Sequence, residues 1–396
     1  MDEGKKTTDI ISIINNIFHI ALVRKASDIH IEPKEKELDV RIRVDGEFSE
    51  FHTFPLEIHQ PVVTRMKMLA DLKIDENRLP QDGKASINMN NEAIDLRISV
   101  LPTIYGEKIC IRILRGEQEK LKLSDLGILD YALKRIEESL KKTYGIILVT
   151  GPTGAGKTTT LYAMLSTFNP KEYNISTLED PVEYKMKDVN QSQVKKDIGF
   201  DFSDGLRSLV RQDPDIIMVG EIRDKVTASL AIESALTGHL VFSTIHTNTA
   251  AATIQRLLNM EVERYLLPSA LRMIMAQRLT RKICSFCQES YKPDDVVIKK
   301  IKEEIGDVIN INEQELRLYR GKGCKKCGNT GYAGRIAIYE IMPISNKISE
   351  MILEGAPASE LEKQAMKEGM LTMKQDGFVK MVMGITTMEE VLSVIG

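Results

Sequence analysis

The sequence predicts a doubly wound parallel α/β domain, preceded by a smaller α+β unit and interrupted by a cysteine-bearing module. Three observations carry this reading. An apolar strand, a glycine-rich loop and a helix follow one another directly at 145–166. Period-two strand patterning fills much of the first 114 residues. Two Cys-x-x-Cys pairs stand far along the chain.

Taken in order, residues 8–26 place Ile10, Ile14, Ile17 and Ala21 on one helical face. Residues 38–44 alternate and close at Asp45 and Gly46, a turn dipeptide, before a partner strand around 48–54. A helix at about 57–71 and strands at 85–89, 93–99 and 108–114 complete an amino-terminal domain at 1–114. The charged run 115–123 reads as a linker, and from Ser124 strands and helices alternate through a second domain, 124–396. That domain includes a cysteine module at about 280–335 and a carboxyl-terminal segment, about 343–396, with helices at 345–353, 358–367 and 388–395.

Composition limits the functional classes. The 396 residues are 42% hydrophobic and 28% charged with a net charge of −3, enough for two or three domains with real cores and without the basic excess expected of a nucleic-acid binder. The longest apolar runs, such as 109–114 and 145–149, are strand-sized, so neither a membrane span nor a secretory signal is expected and the site of action reads as cytoplasmic.

The loop Gly151, Pro152, Thr153, Gly154, Ala155, Gly156 followed by Lys157 and Thr158 fits the phosphate-binding pattern G-x-x-x-x-G-K-[ST]. Glycines let such a loop turn sharply and aim backbone N–H groups inward at a phosphate chain. Lys157 adds a point charge near the β and γ oxygens, Thr158 offers a hydroxyl to Mg²⁺, and Thr159 continues the helix whose N-terminus faces the phosphates. ATP with Mg²⁺ is the cofactor expected.

A nucleotide hydrolase also needs carboxylates that hold Mg²⁺ or its waters and polarise an attacking water. Glu179, Asp180 and Glu183 follow a short apolar start at Ile175, and Glu221 ends the apolar strand 215–221. Taken singly, each acid is more often a solvated strand end; beside a phosphate loop, each becomes a candidate.

Cys284, Cys287, Cys324 and Cys327 have the spacing of a tetrahedral Zn²⁺ site that leaves no open coordination position, hence a structural one, with buried thiols or a redox pair as the alternatives. Cys110 lies in an apolar run and reads as core.

Further motifs, at 27–33 (SDIHIEP), 43–46 (RVDG), 78–83 (RLPQDG), 179–183 (EDPVE), 211–215 (RQDPD), 220–224 (GEIRD), 237–239 (TGH) and 243–248 (STIHTN), appear in order along nearly the whole chain. With the phosphate loop they resemble the ATPases of type II secretion and type IV pilus assembly, the PilB/GspE group. The resemblance implies a RecA-like ATPase domain preceded by a PAS-like one. It makes Glu183 the residue that polarises water, with Glu179 and Asp180 as supports, and Glu221 the Walker B acid. His239 and His246 become a histidine box, near the γ-phosphate or the opposite domain. Arg97 and Arg112, otherwise read as outward strand arginines, reach ATP when the domains close.

The resemblance also implies a homohexamer that drives an inner-membrane platform protein, placing the chain at the inner face of the cytoplasmic membrane. The four cysteines match the assembly branch rather than retraction. Lysines around the cysteines leave a nucleic-acid motor with a zinc module as the alternative, which the near-neutral charge weakens, so nucleic acid is not the expected partner.

Overall fold

The computed structural model describes residues 9–89, 92–114 and 122–395, so the expected linker lies outside the described residues except for Lys122 and Leu123. The chain divides into two compact units, Met1–Gln118 and Glu119–Gly396.

The first unit is a six-stranded antiparallel sheet of β1 (Asp28–Pro33), β2 (Glu37–Val44), β3 (Glu47–Pro55), β4 (Gln81–Met89), β5 (Glu92–Thr103) and β6 (Gly106–Leu114), in the order β3-β2-β1-β6-β5-β4. Alternation sends Ile29, Ile31, Val40, Ile42, Leu96, Ile98, Ile109 and Ile111 to one face, where they form a core with the helices Ile10–Val23 and His59–Leu69. The first helix starts at Ile10 because the Asp9 side chain accepts the Ile11 N–H. Strand β1 had no strand reading in the sequence, since Ile29 and Ile31 are its sole strongly apolar residues. It is nonetheless central, pairing with β2 on one side and β6 on the other.

The second unit is built on a seven-stranded sheet. Its strands are β7 (Gly145–Thr150), β8 (Ile175–Glu179), β9 (Asn190–Gln193), β10 (Ile216–Val219), β11 (Leu240–Ile245) and β12 (Leu271–Ile283), with β13 (Gln288–Tyr291) and β14 (Leu318–Gly321) forming a separate pair, and β15 (Tyr332–Pro343) closing one edge. The order is β15-β12-β7-β11-β10-β8-β9. All neighbours from β12 to β9 are parallel, while β15 runs antiparallel to β12. The expected parallel sheet is therefore mixed at that edge, because β15 returns directly from the cysteine module without a crossover helix. Every residue of β7, β10 and β11 is buried, as a sheet covered on both faces demands. One face packs Leu148, Ile254 and Leu257; the other packs Ile147, Val149 and Leu161.

The helix Met373–Val382 was not legible in the sequence. Its inward face carries Asp376 and Lys380, which are 0–1% exposed and paired at 2.6 Å, and Gly377. A Cβ on Gly377 would lie 2.6 Å from Val391, so glycine lets the helix Met388–Ile395 pack close. Among the described residues no helix is long and apolar enough to cross a membrane.

Candidate nucleotide site and cysteine cluster

Parallel register aligns the carboxyl ends of four strands: Thr150 of β7 lies opposite Ile245 of β11, and Val219 of β10 lies opposite Ser243 of β11 and Leu178 of β8. The loops that leave these strands share one edge of the sheet, the position where ligands bind in open α/β folds. The phosphate loop leaves β7 there. Gly151 has φ 146°, and a Cβ on it would meet the Gln277 carbonyl oxygen at 2.4 Å. Gly156, with φ 84°, leads into the helix Lys157–Leu165, whose first-turn N–H groups point back toward the loop. The Lys157 ammonium donates to the carbonyls of Gly151 at 2.8 Å and Pro152 at 3.1 Å. Burial lowers its pKa, opposed by the charge of Glu221.

Glu221 follows Gly220 at the end of β10. Arg223 lies 2.5 Å from one of its oxygens and His246 Nε2 3.7 Å from the other. Burial and the Lys157 charge hold the His246 pKa below the ordinary 6.5, which keeps the ring largely neutral at neutral pH. The Thr150 hydroxyl lies 2.9 Å from the Ile245 carbonyl and accepts the Thr247 N–H at 2.8 Å, tying the base of the phosphate loop to the segment that carries His246.

The acidic segment divides by burial. Glu179 is 2% exposed and accepts from Tyr162, from Thr177 at 2.7 Å and from Gln191 at 3.1 Å. Burial raises its pKa in spite of these three donors. The Tyr162 hydroxyl also meets the backbone at Glu183, and its ring packs edge-on against Tyr184 at 4.5 Å. Glu183 is itself exposed. Asp180 pairs with Lys196 at 3.0 Å, and its charge reaches Arg223. A buried acid thus anchors a loop that presents an exposed one.

His239 is not brought to this edge. Its carbonyl accepts the Gly145 N–H at 3.1 Å and its Nδ1 lies 2.9 Å from the Ser234 carbonyl, at the amino end of β11. At about 3.3 Å per strand residue it stands roughly 20 Å from His246, so the two histidines that the resemblance places near the γ-phosphate or the opposite domain do not lie together at this edge. A pattern of two histidines seven residues apart does not reveal that a full strand separates them.

Arg97 and Arg112 belong to the first unit, directly opposite each other on β5 and β6. They point away from its core, and Arg112 donates to Asp28 at 3.0 Å. Like charges facing across a sheet oppose each other, and the Asp28 carboxylate offsets part of this repulsion.

The four cysteine sulfurs lie within 4.8 Å of one another. Three of the separations are 3.7, 3.9 and 3.9 Å. A tetrahedron with Zn–S bonds of about 2.3 Å has edges of about 3.8 Å, so the set fits zinc and is too wide for disulfides. Cys327 Sγ accepts N–H groups from Cys324 and Gly331, donors that hold the sulfur in place and would stabilise its thiolate form. The long stretch between the pairs folds as β13, the helix Asp295–Ile305 and β14.

Tyr162, Gln191, Thr150 and Gln277 escaped the sequence reading. Gln277 carried the one available signal, a polar residue directly after the apolar run 273–276.

The fold and this edge define an ATPase of the phosphate-loop class. The family model "Type II/IV secretion system protein" matches residues 3–393, and the chain belongs to that family, as the motifs implied. It is 43% identical to the type IV pilus assembly ATPase PilB of Myxococcus xanthus over 99% of this chain and 69% of that protein. With PilB of Thermus thermophilus the identity is 42% over 96% of this chain but 42% of that protein, and with type II secretion system protein E of Pseudomonas aeruginosa it is 41% over 99% and 76%. Among solved structures, the pilus retraction motor PilT with bound ADP is 28% identical with a TM-score of 0.63, covering 96% of each chain. The Legionella pneumophila ATPase DotB, 20% identical with a TM-score of 0.71 over 100% of this chain and 97% of its own, shares the fold.

Proposed function

We propose that this chain is the motor of an envelope machine, hydrolysing ATP as a homohexamer to drive extension of a type IV pilus or a type II secretion pseudopilus through an inner-membrane platform protein. It would act in the cytoplasm, at the inner face of the cytoplasmic membrane. The observation that carries the reading is the convergence of the phosphate loop, Glu221 and His246 on one sheet edge in a member of this family.

In this reading residues 151–159 cradle the phosphates, and Thr158 and Glu221 supply the hard oxygen donors that suit Mg²⁺, which when bound neutralises phosphate charge. Exposed Glu183 polarises the attacking water, held in place by the buried Glu179 network and by Asp180. Neutral His246 reports on the nucleotide through Glu221, and His239 serves a different contact at the far end of β11. Arg97 and Arg112 stabilise developing phosphate charge when the amino-terminal domain, 1–114, closes on the ATPase domain, 124–396, about the linker 115–123. Cys284, Cys287, Cys324 and Cys327 hold a structural Zn²⁺, which favours the assembly branch over retraction.

The test is ATP turnover measured against protein concentration, with mass followed by light scattering, for the native chain and Glu183→Gln. Turnover should rise as hexamers form and fall roughly 100-fold or more in the variant, with ATP binding retained. Full turnover by a monomer rejects the ring, and an unaffected variant rejects Glu183 as the base.

A further inference from the structure

The geometry points to Gln277 as a positioning residue that sets the nucleotide affinity of the phosphate loop from the neighbouring strand. Gln277 sits on β12, 1% exposed, just beyond the point where β12 pairs with the end of β7. Its Nε2 donates to the Ala155 carbonyl at 2.6 Å. A Cβ on Gly156 would be 3.3 Å from that same nitrogen, and the Gln277 backbone carbonyl closes the space beside Gly151. One residue therefore touches the loop at its first glycine and at its last two positions. The donated bond orients the Ala155–Gly156 peptide, and with it the N–H groups that must face the phosphates.

The other end of the same amide argues that this contact serves function rather than stability. Gln277 Oε1 is buried with no hydrogen-bond partner among the described residues. A buried unmet acceptor destabilises the fold, and an aliphatic side chain of similar size would avoid it. A residue that weakens its own surroundings while holding a ligand loop is what a trade between stability and binding produces. Across β15, its register partner Tyr339 meets Thr160 of the loop's helix, so the bracing extends one turn further.

The inference rests on the nucleotide reading above, and the experiment separates the two. Equilibrium binding of a fluorescent ATP analogue with Mg²⁺ is measured for the native chain, Lys157→Ala, Gln277→Met and Gln277→Glu, alongside melting temperatures. Gln277→Met should bind about tenfold more weakly, equivalent to about 1.4 kcal/mol, while melting no lower than the native chain and keeping kcat at saturating ATP within about twofold. Gln277→Glu should recover affinity as pH falls, because the protonated carboxyl can donate to Ala155 whereas the carboxylate repels it, and burial raises the pH at which it ionises. Native affinity in Gln277→Met, or a pH-independent loss in Gln277→Glu, overturns the inference. Absence of binding by the native chain, or binding unchanged in Lys157→Ala, overturns the nucleotide reading instead.

Discussion

At the phosphate-loop edge, β7, β10 and β11 are buried along their whole length between two apolar cores. At the cysteine knuckles Phe286 is 73% exposed, and Lys325, Lys326, Gly328 and Asn329 stand in solvent around the sulfurs. The first region is held by burial distributed over many residues, at about 25 cal/mol per Å² of apolar surface. At the second, the ordering groups are four sulfurs whose geometry suits one tetrahedral ion. Positions at the nucleotide edge should therefore survive local damage that erases the knuckles.

The largest effect tests that difference directly. Metal chelation, or Cys324→Ser with Cys327→Ser, should abolish amide-exchange protection at the knuckles, 284–287 and 324–331, since a bound structural zinc contributes on the order of 10 kcal/mol, while the helix Asp295–Ile305 keeps its protection through the apolar cluster that buries Ile298, Ile301 and Ile305. Affinity for ATP should change less than about threefold. Loss of nucleotide binding in parallel would break the comparison.

Next comes a charge inside the sheet domain. Asp376 accepts from Lys380 and from the Tyr339 N–H at 2.9 Å. Asp376→Ala leaves Lys380 buried and unpaired, and urea unfolding should show a loss of about 3–5 kcal/mol. A smaller loss would mean that burial by itself carries this region.

Glu340 sharpens the same point through pH. It is 2% exposed and accepts the Ala250 N–H at 2.6 Å, at the start of the helix Ala250–Asn259 that follows the His246 segment. Burial raises its pKa from 4.5 to about 7. The protonated form is thus favoured by folding: its stabilisation is complete below about 4.5 and is lost as pH rises through about 7, a change of about 3 kcal/mol. Thermal melts of Glu340→Gln should lack this decline, becoming more stable relative to the native chain as pH rises from 5 to 8.

The smallest effect concerns Thr150→Val, which keeps shape but removes the hydroxyl that ties the loop base to Thr247. A loss of about 1 kcal/mol is expected by denaturant unfolding, with a measurable shift in the His246 titration by NMR. An unchanged titration would show that the two segments are held by the sheet alone.

Legibility in the sequence followed the range of the interaction. The turn at Asp45 and Gly46, the phosphate loop and the cysteine pairs were readable because each is closed by residues a few positions apart. Strand β1 escaped because its polar row of Asp28, His30 and Glu32, of which Asp28 and Glu32 are buried by their neighbours, hides the alternation of Ile29 and Ile31. The helix Met373–Val382 escaped because a buried ion pair and Gly377 imitate a polar segment. The acids were found as candidates, but nothing in residues 179–183 reveals that Glu179 is sealed by Tyr162 and Gln191 while Glu183 stays exposed.

By itself, then, the sequence determined the local chemistry: a loop whose glycines permit a phosphate cradle, acids at strand ends, and thiols spaced for one tetrahedral ion. The tertiary structure decided which of these groups meet. Parallel pairing brings β7, β8, β10 and β11 together from distant parts of the chain, so it placed Glu221 beside His246, sent His239 to the opposite end of its strand, and set Gln277 under the phosphate loop. Such meetings depend on strand order and register, which arise from burying both faces of the sheet at once and leave no short-range pattern to read.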